Sequence, residues 1–244
     1  MLNHQTLAQV FYYPTGTGFS GNSYRKMWSA LNVFQGLSGT AYIYQKGEKP
    51  NDTARRVSIG SVHDLSQIVG DDQCDVIGGA TFMRQTPRET RYEYSGVGIG
   101  YWDVPGGSAN PALSSIEISS DLIEDYGIDT CLKIAKLHTE LADQSGAAYG
   151  LIDFAPSTEI VGGAIFGRVV YPAISLVRIV EKSKWEQYGW LSRRARGLYW
   201  GNYLNNEMLS RLPSDFLSCY AELSRDVGGW EQAHVWRMKN GAFF

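Results

Sequence analysis

The chain has 244 residues and few features that advertise a function. Cysteine is scarce: Cys74, Cys131 and Cys219 are three in number and far apart. An odd set at such spacing excludes a disulfide framework and points to the reduced thiols of the cytosol, each expected as a small buried hydrophobe. An excess of one charge is lacking too. The 22 basic and 25 acidic residues leave a net charge of −3, which disfavours a polybasic membrane binder or a nucleic-acid coat. The most apolar stretch, Val161 to Val180, contains Arg168, Pro172 and Arg178, so it falls short of the ~18–20 apolar residues that a helical span needs. The opening residues are broken by His4, Gln5, Thr6 and Gln9. No secretory leader is expected there, and the chain reads as cytoplasmic.

Catalytic signatures are equally absent. There is no Gly-x-Ser-x-Gly elbow. His138-Thr139-Glu140 has the dipeptide spacing of a zinc deaminase, but no Pro-Cys-x-x-Cys follows, so two metal ligands would be missing. His4, His63, His138 and His234 are widely separated, and His138 falls on an apolar helical stripe as a satisfied core histidine. Asp71, Asp72 and Asp75 form an acidic cluster of the kind that holds a cation, and a solvated turn is the favoured reading. No metal, no cofactor and no catalytic residue are expected, and the balance leans away from an enzyme.

What the chain does have is aromatic mass and glycine. Seven Trp, 15 Tyr, 9 Phe and 27 Gly suggest a β-rich core with many turns. Strands are expected at Leu7–Tyr13, Thr40–Gln45, Arg55–Gly60, Asp75–Met83, Arg91–Trp102, Leu113–Ser119, Tyr149–Phe154, Leu198–Leu204 and His234–Lys239. The run before Pro87 and the run after it suggest a hairpin. Helices are expected where apolar residues recur at three and four: through Tyr24, Met27, Trp28, Leu31 and Phe34, ending near Gly36, and over Ile128–Gln144. In the second, the stripe is Ile128, Cys131, Leu132, Ala135, His138 and Ala142. Shorter helices are expected at Asn205–Leu212 and Ser214–Arg225, split by Pro213. The implied class is α+β: a mainly antiparallel sheet with helices packed on one face. The loop at Asp103–Pro111 divides it into two similar halves, 1–108 and 109–244, or sits within one continuous domain.

Three patterns are candidate sites. Gly16-x-Gly18-x-x-Gly21 stands between an expected strand and an expected helix, the place of a dinucleotide-binding fingerprint, and carries the alternative reading of a nucleotide-binding enzyme or sensor. Pro14 and Thr15 lengthen the approach, and Gln45-Lys46 stands where an acidic ribose ligand belongs, so a flexible turn with a helix cap is the competing reading. Gly96, Gly98 and Gly100 alternate with Val97, Ile99 and Tyr101, which leaves one strand face bare for close approach by a helix, a partner chain or a flat ligand. Arg193, Arg194 and Arg196 precede Tyr199, Trp200 and Tyr203. Arginine forks beside aromatic faces suit phosphate contact with base stacking, a protein-binding hot spot, or plain solvated charge beside a core strand. Tyr101 and Trp102 are second-choice anchors.

The segment Arg196-Gly197-Leu198-Tyr199-Trp200-Gly201-Asn202-Tyr203-Leu204 resembles a stretch near the end of immunity proteins of bacterial toxin systems, the immunity protein 52 group and the related type VI secretion immunity group. Tyr149-Gly150-Leu151-Ile152-Asp153-Phe154 is similar to their aromatic-Gly-apolar strand. The resemblance covers the C-terminal third. It implies a non-catalytic, stoichiometric role in which a cytosolic protein occludes a partner toxin, and it carries over no catalytic residues. The expected partner is another protein, with neither membrane nor nucleic acid as the favoured target.

Overall fold

In β1 (Gln5–Tyr13), alternate residues serve two different cores. Leu7, Phe11 and Tyr13 join one buried cluster, and Ala8, Val10 and Tyr12 join the other. A strand that is apolar on both faces must be covered on both, so it belongs in the middle of a sheet. There it pairs antiparallel with β6 (Ala112–Ser119) on one edge and β7 (Tyr149–Pro156) on the other. The computed structural model describes residues 5–14, 21–45, 55–59, 74–84, 96–102, 112–156, 201–220 and 235–244.

Beyond β6 lie β5 (Gly96–Trp102), β4 (Cys74–Arg84), β2 (Leu37–Gln45) and, at the edge, β3 (Arg55–Ile59). Beyond β7 lie β8 (Gly201–Asn205), β10 (Gly241–Phe243) and β9 (Trp236–Arg237). Among the described residues this is one ten-stranded sheet in which each neighbouring pair is antiparallel. The hairpin expected around Pro87 appears as the β4–β5 pair. Because β1 opposes both β6 and β7, those two run parallel to each other with β1 between them. A strand from the first 108 residues is thereby held between two strands of the remainder.

The helices expected from periodicity form α1 (Gly21–Leu31) and α3 (Ile128–Gln144). Met27, Trp28, Leu31 and Phe34 are buried against the sheet together with Cys131, Ile134, Ala135, Leu141 and Ala142. Ile128 is 39 % exposed and does not belong to the stripe assigned from spacing; Ile134 and Leu141 complete it instead. A further helix, α2 (Ser120–Tyr126), was not expected. It continues from β6 without a breaker and is only seven residues long, too short to establish a period. Gly127, at φ 82°, ends α2 and leads into α3, and its amide donates to Ile123 O at 2.9 Å. That left-handed conformation is one glycine adopts without strain.

The α+β architecture is as expected, with α1, α2 and α3 on one face. The opposite face also carries helical cover: α4 (Asn206–Leu209) and a helical stretch at 216–220 contribute Met208 and Leu217 to a second, smaller cluster around Val10, Tyr12, Tyr149 and Phe244. Two local expectations are corrected. Cys219 is exposed, whereas Cys131 is buried as expected. The single closing strand expected at His234–Lys239 is instead the short β9–β10 hairpin, because the chain turns back at Lys239-Asn240, where the Met238 amide donates to Gly241 O at 2.9 Å.

Candidate functional site

Of the residues singled out from sequence, Gly21, Tyr101, Trp102 and Tyr203 fall among the described residues, on α1, β5 and β8. Arg193, Arg194, Arg196, Tyr199 and Trp200 lie outside the described residues, as do Gly16 and Gly18. Tyr101 and Trp102 end β5 at the register positions opposite Ser114 and Leu113. Tyr203 corrects the expectation of a surface anchor: it is fully buried in β8. The position is core because Phe11 packs edge-on to its ring at 5.7 Å and its hydroxyl turns inward to Asp143. Gly21 opens α1, so the strand–glycine–helix order exists. The fingerprint, however, serves a parallel βαβ unit, and both neighbours of β1 run antiparallel to it.

The most concentrated polar chemistry lies between β1, β6 and α3. Tyr13 Oη and Ser114 Oγ are 2.8 Å apart, and Ser114 Oγ is 2.9 Å from His138 Nε2. His138 Nδ1 lies 3.0 Å from Gln9 Oε1, while Gln9 Nε2 donates to Thr139 Oγ1 at 2.7 Å. Thr139 Oγ1 donates in turn to Ala135 O. One assignment satisfies the whole chain. The Gln9 carbonyl accepts from Nδ1–H, which leaves Nε2 to accept from Ser114, which accepts from Tyr13.

A Ser–His hydrogen bond is also the first requirement of a nucleophilic dyad, but this pair is sealed. His138 is fully buried and Ser114 is 1 % exposed, so no substrate carbonyl reaches the hydroxyl. Burial lowers the imidazole pKa from 6.5 to about 3, which makes it a poor general base near neutrality. Phe11 closes one side of the ring at 4.9 Å, edge to face. The cluster is an internal polar clamp, and His138 is the satisfied core histidine expected from its stripe.

A second clamp holds the C-terminal hairpin. Asp143 is 2 % exposed, accepts from the Tyr203 hydroxyl at 2.8 Å and from the Asn240 amide at 3.1 Å, and its backbone carbonyl accepts from Asn240 Nδ2. The two segments that carry the immunity-protein resemblance meet here as neighbours. Tyr149, Gly150, Leu151 and Ile152 pair with Leu204, Tyr203, Asn202 and Gly201. Gly150 is required for close approach: a Cβ there would overlap the Phe11 ring. Gly201 is required likewise, against Ile152 and Phe243.

Two further features, one exposed and one largely buried, were not singled out from sequence. Trp236, at the edge of the sheet, is 40 % exposed. Its ring stacks on Phe243 at 5.5 Å with Lys136 Nζ above it at 5.5 Å, and Arg237 follows it in β9. The adjacent Trp-Arg pair was the available signal. The other feature is Glu117, on the sheet face opposite α1–α3, whose carboxyl pKa burial raises from 4.5 to about 7. Its signal was the Ser114-Ser115-Ile116-Glu117-Ile118 alternation, which puts a carboxylate on a strand buried on its other face. Among the described residues no group of three or more His, Cys, Asp or Glu could hold a metal ion, and no described helix is long and apolar enough to cross a membrane.

No protein family matches the chain, and no curated protein matches it. Solved structures do. A Pseudomonas aeruginosa T6SS protein, PA0821, superposes with a TM-score of 0.61 at 11 % sequence identity, over 98 % of this chain and 64 % of that one. At that identity the likeness is one of fold. The chain thus spans less than two thirds of the length of that protein.

Proposed function

We propose that the chain is a non-catalytic protein-binding protein of the immunity type, which occludes a toxin partner in a bacterial secretion setting. The observation that carries this reading is the fold shared with a T6SS protein over nearly the whole chain. It agrees with the resemblance of the β7 and β8 segments to immunity proteins. The internal chemistry supports it as well, since the Ser114–His138 pair and the Asp143 carboxylate are consumed in holding the sheet to α3.

The binding anchors assigned under this reading are Arg193, Arg194, Arg196, Tyr199 and Trp200, with Tyr101 and Trp102 as second choices. Trp236 beside Arg237 and Lys136 adds a described surface of the composition that dominates protein interfaces. An interface of this kind buries about 1,200–2,000 Å² in total. The test is co-expression with candidate toxin domains drawn from the genes that neighbour this one. The wild type restores growth and forms a stoichiometric complex. The Arg194→Glu, Trp200→Ala double variant keeps its melting temperature but weakens capture. A wild type that neither protects nor forms a complex overturns the reading.

A further inference from the structure

Glu117 belongs to neither clamp. On β6 it stands opposite Gly98 of β5 on one side and Ala8 of β1 on the other. The bare line continues with Gly100 opposite Ser115, and in β4 Thr81 and Gly79 lie beyond Gly98 and Gly100. Gly96, Gly98 and Gly100 share the Glu117 side of the sheet, because the intervening Val97 and Ile99 stand opposite Ile118 and Ile116, which pack under the helices. Strands lie about 4.8 Å apart, so the glycine positions leave a trough beside the part-exposed Glu117 carboxylate.

That carboxylate is largely withdrawn from water and has no hydrogen bond or ion pair to any described residue. An uncompensated carboxylate in such a place is costly, and an incoming positive charge offsets the cost. We infer that this trough receives a basic side chain, arginine or lysine, presented by the partner protein. The inference rests on the proposed protein-binding role. A flat guanidinium fork suits a floor of glycine, and a single carboxylate accepts it in two parallel hydrogen bonds. A hard metal cation would need six or more oxygen ligands, and the described residues offer no such group. Asp153 occupies the register position beyond Ala8 on β7.

Burial holds the Glu117 carboxyl near a pKa of about 7, so it is mostly protonated at pH 6. A basic group arriving there favours the charged form and expels the proton; at pH 8.5 there is none to expel. Around Glu117, β1 presents Ala8 and β5 presents Gly98, neither ionisable. Among the described residues, the acids on adjoining segments are Asp153, at its register position on β7, and Asp121, which accepts from Ser119.

The test uses carbon-13 carboxyl NMR of the glutamates in the full chain. The added probe is Nα-acetyl-arginine methylamide, with the uncharged citrulline analogue as control at matched ionic strength. The expected result is a saturable fall in the Glu117 titration midpoint with the arginine probe alone, lost in Glu117→Gln and weakened in Gly98→Ala. An unchanged midpoint, or the same response to citrulline, overturns the inference. With the toxin partner, Glu117→Gln is expected to weaken the complex about 10-fold or more and to abolish proton release at pH 6. A complex that forms equally well with that variant overturns this site and leaves the protein-binding reading intact. An arginine response in a chain that binds no toxin supports the site and removes the proposed function.

Discussion

The Tyr203 hydroxyl donates to Asp143 Oδ1 at 2.8 Å and so ties β8 to the last turn of α3. Burial, reinforced by the neighbouring carboxylate, pushes the phenol pKa up, which keeps it a donor across the working pH range. Asn240 reaches the same carboxylate from the β9–β10 turn. Three segments distant in sequence therefore share one buried acceptor. Tyr203→Phe removes one charge-assisted bond and is expected to cost about 1.5–3 kcal/mol. Asp143→Ala strips both partners and is expected to cost more. Hydrogen exchange at residues 236–243 should accelerate more in Asp143→Ala than in Tyr203→Phe; equal protection in both would show that the hairpin is held by other contacts.

The close approach of Gly150 to Phe11 gives a packing prediction. Gly150→Ala forces its new methyl into the Phe11 ring, an overpacking expected to cost about 1–3 kcal/mol. Phe11→Leu in the same chain should recover part of that loss. A double-mutant cycle in urea measures the coupling, and additive effects would contradict the contact.

His138 sets an acid limit. Its folded pKa lies near 3, below the usual 6.5, because burial penalises the imidazolium. The unfolded chain therefore takes up the proton first. Stability contributed by the neutral ring is fully present above about pH 6.5 and is lost as the pH falls towards 3, at no more than about 1.4 kcal/mol per pH unit. His138→Gln is expected to be less stable at pH 7 yet to show a shallower decline between pH 6 and 4. Parallel melting curves for the two proteins would remove His138 from the acid limb.

Glu117 acts in the opposite direction. Its folded pKa of about 7 stands above the unfolded 4.5, so the folded state holds the proton more tightly. Its contribution is greatest below about pH 4.5 and is lost as the pH rises through 7. Glu117→Gln, which stays neutral, should stabilise the free protein at pH 8 by about 1–3 kcal/mol, after a discount for partial exposure. A variant no more stable than wild type at pH 8 would mean that the carboxylate is compensated in the free chain.

Trp236 offers a surface prediction. Trp236→Ala removes an exposed ring stacked on Phe243, so it should change the melting temperature little while weakening toxin capture about 10-fold or more, as hot-spot tryptophans do. Capture at wild-type strength would confine the interface to other residues.

The local elements were legible wherever a period ran long enough. The strand of β1, the seventeen residues of α3 and the Gly96–Gly100 alternation could each be read from neighbours in sequence, because side-chain direction follows from backbone geometry alone. The burial of His138 was legible from its stripe. Its partners were not: Gln9 and Ser114 lie 129 and 24 positions away, and strand order decides which strands meet over a helix. The same holds for Tyr203, which by composition resembled an interface anchor and by position is core. Residue chemistry and spacing determined which segments are strands and helices and which faces are apolar. The tertiary structure decided that β1 lies between β6 and β7, that Asp143 is the shared acceptor, and that Glu117 faces glycine. Pairing between distant strands is paid for by burial summed over the whole sheet, and no local window contains that sum.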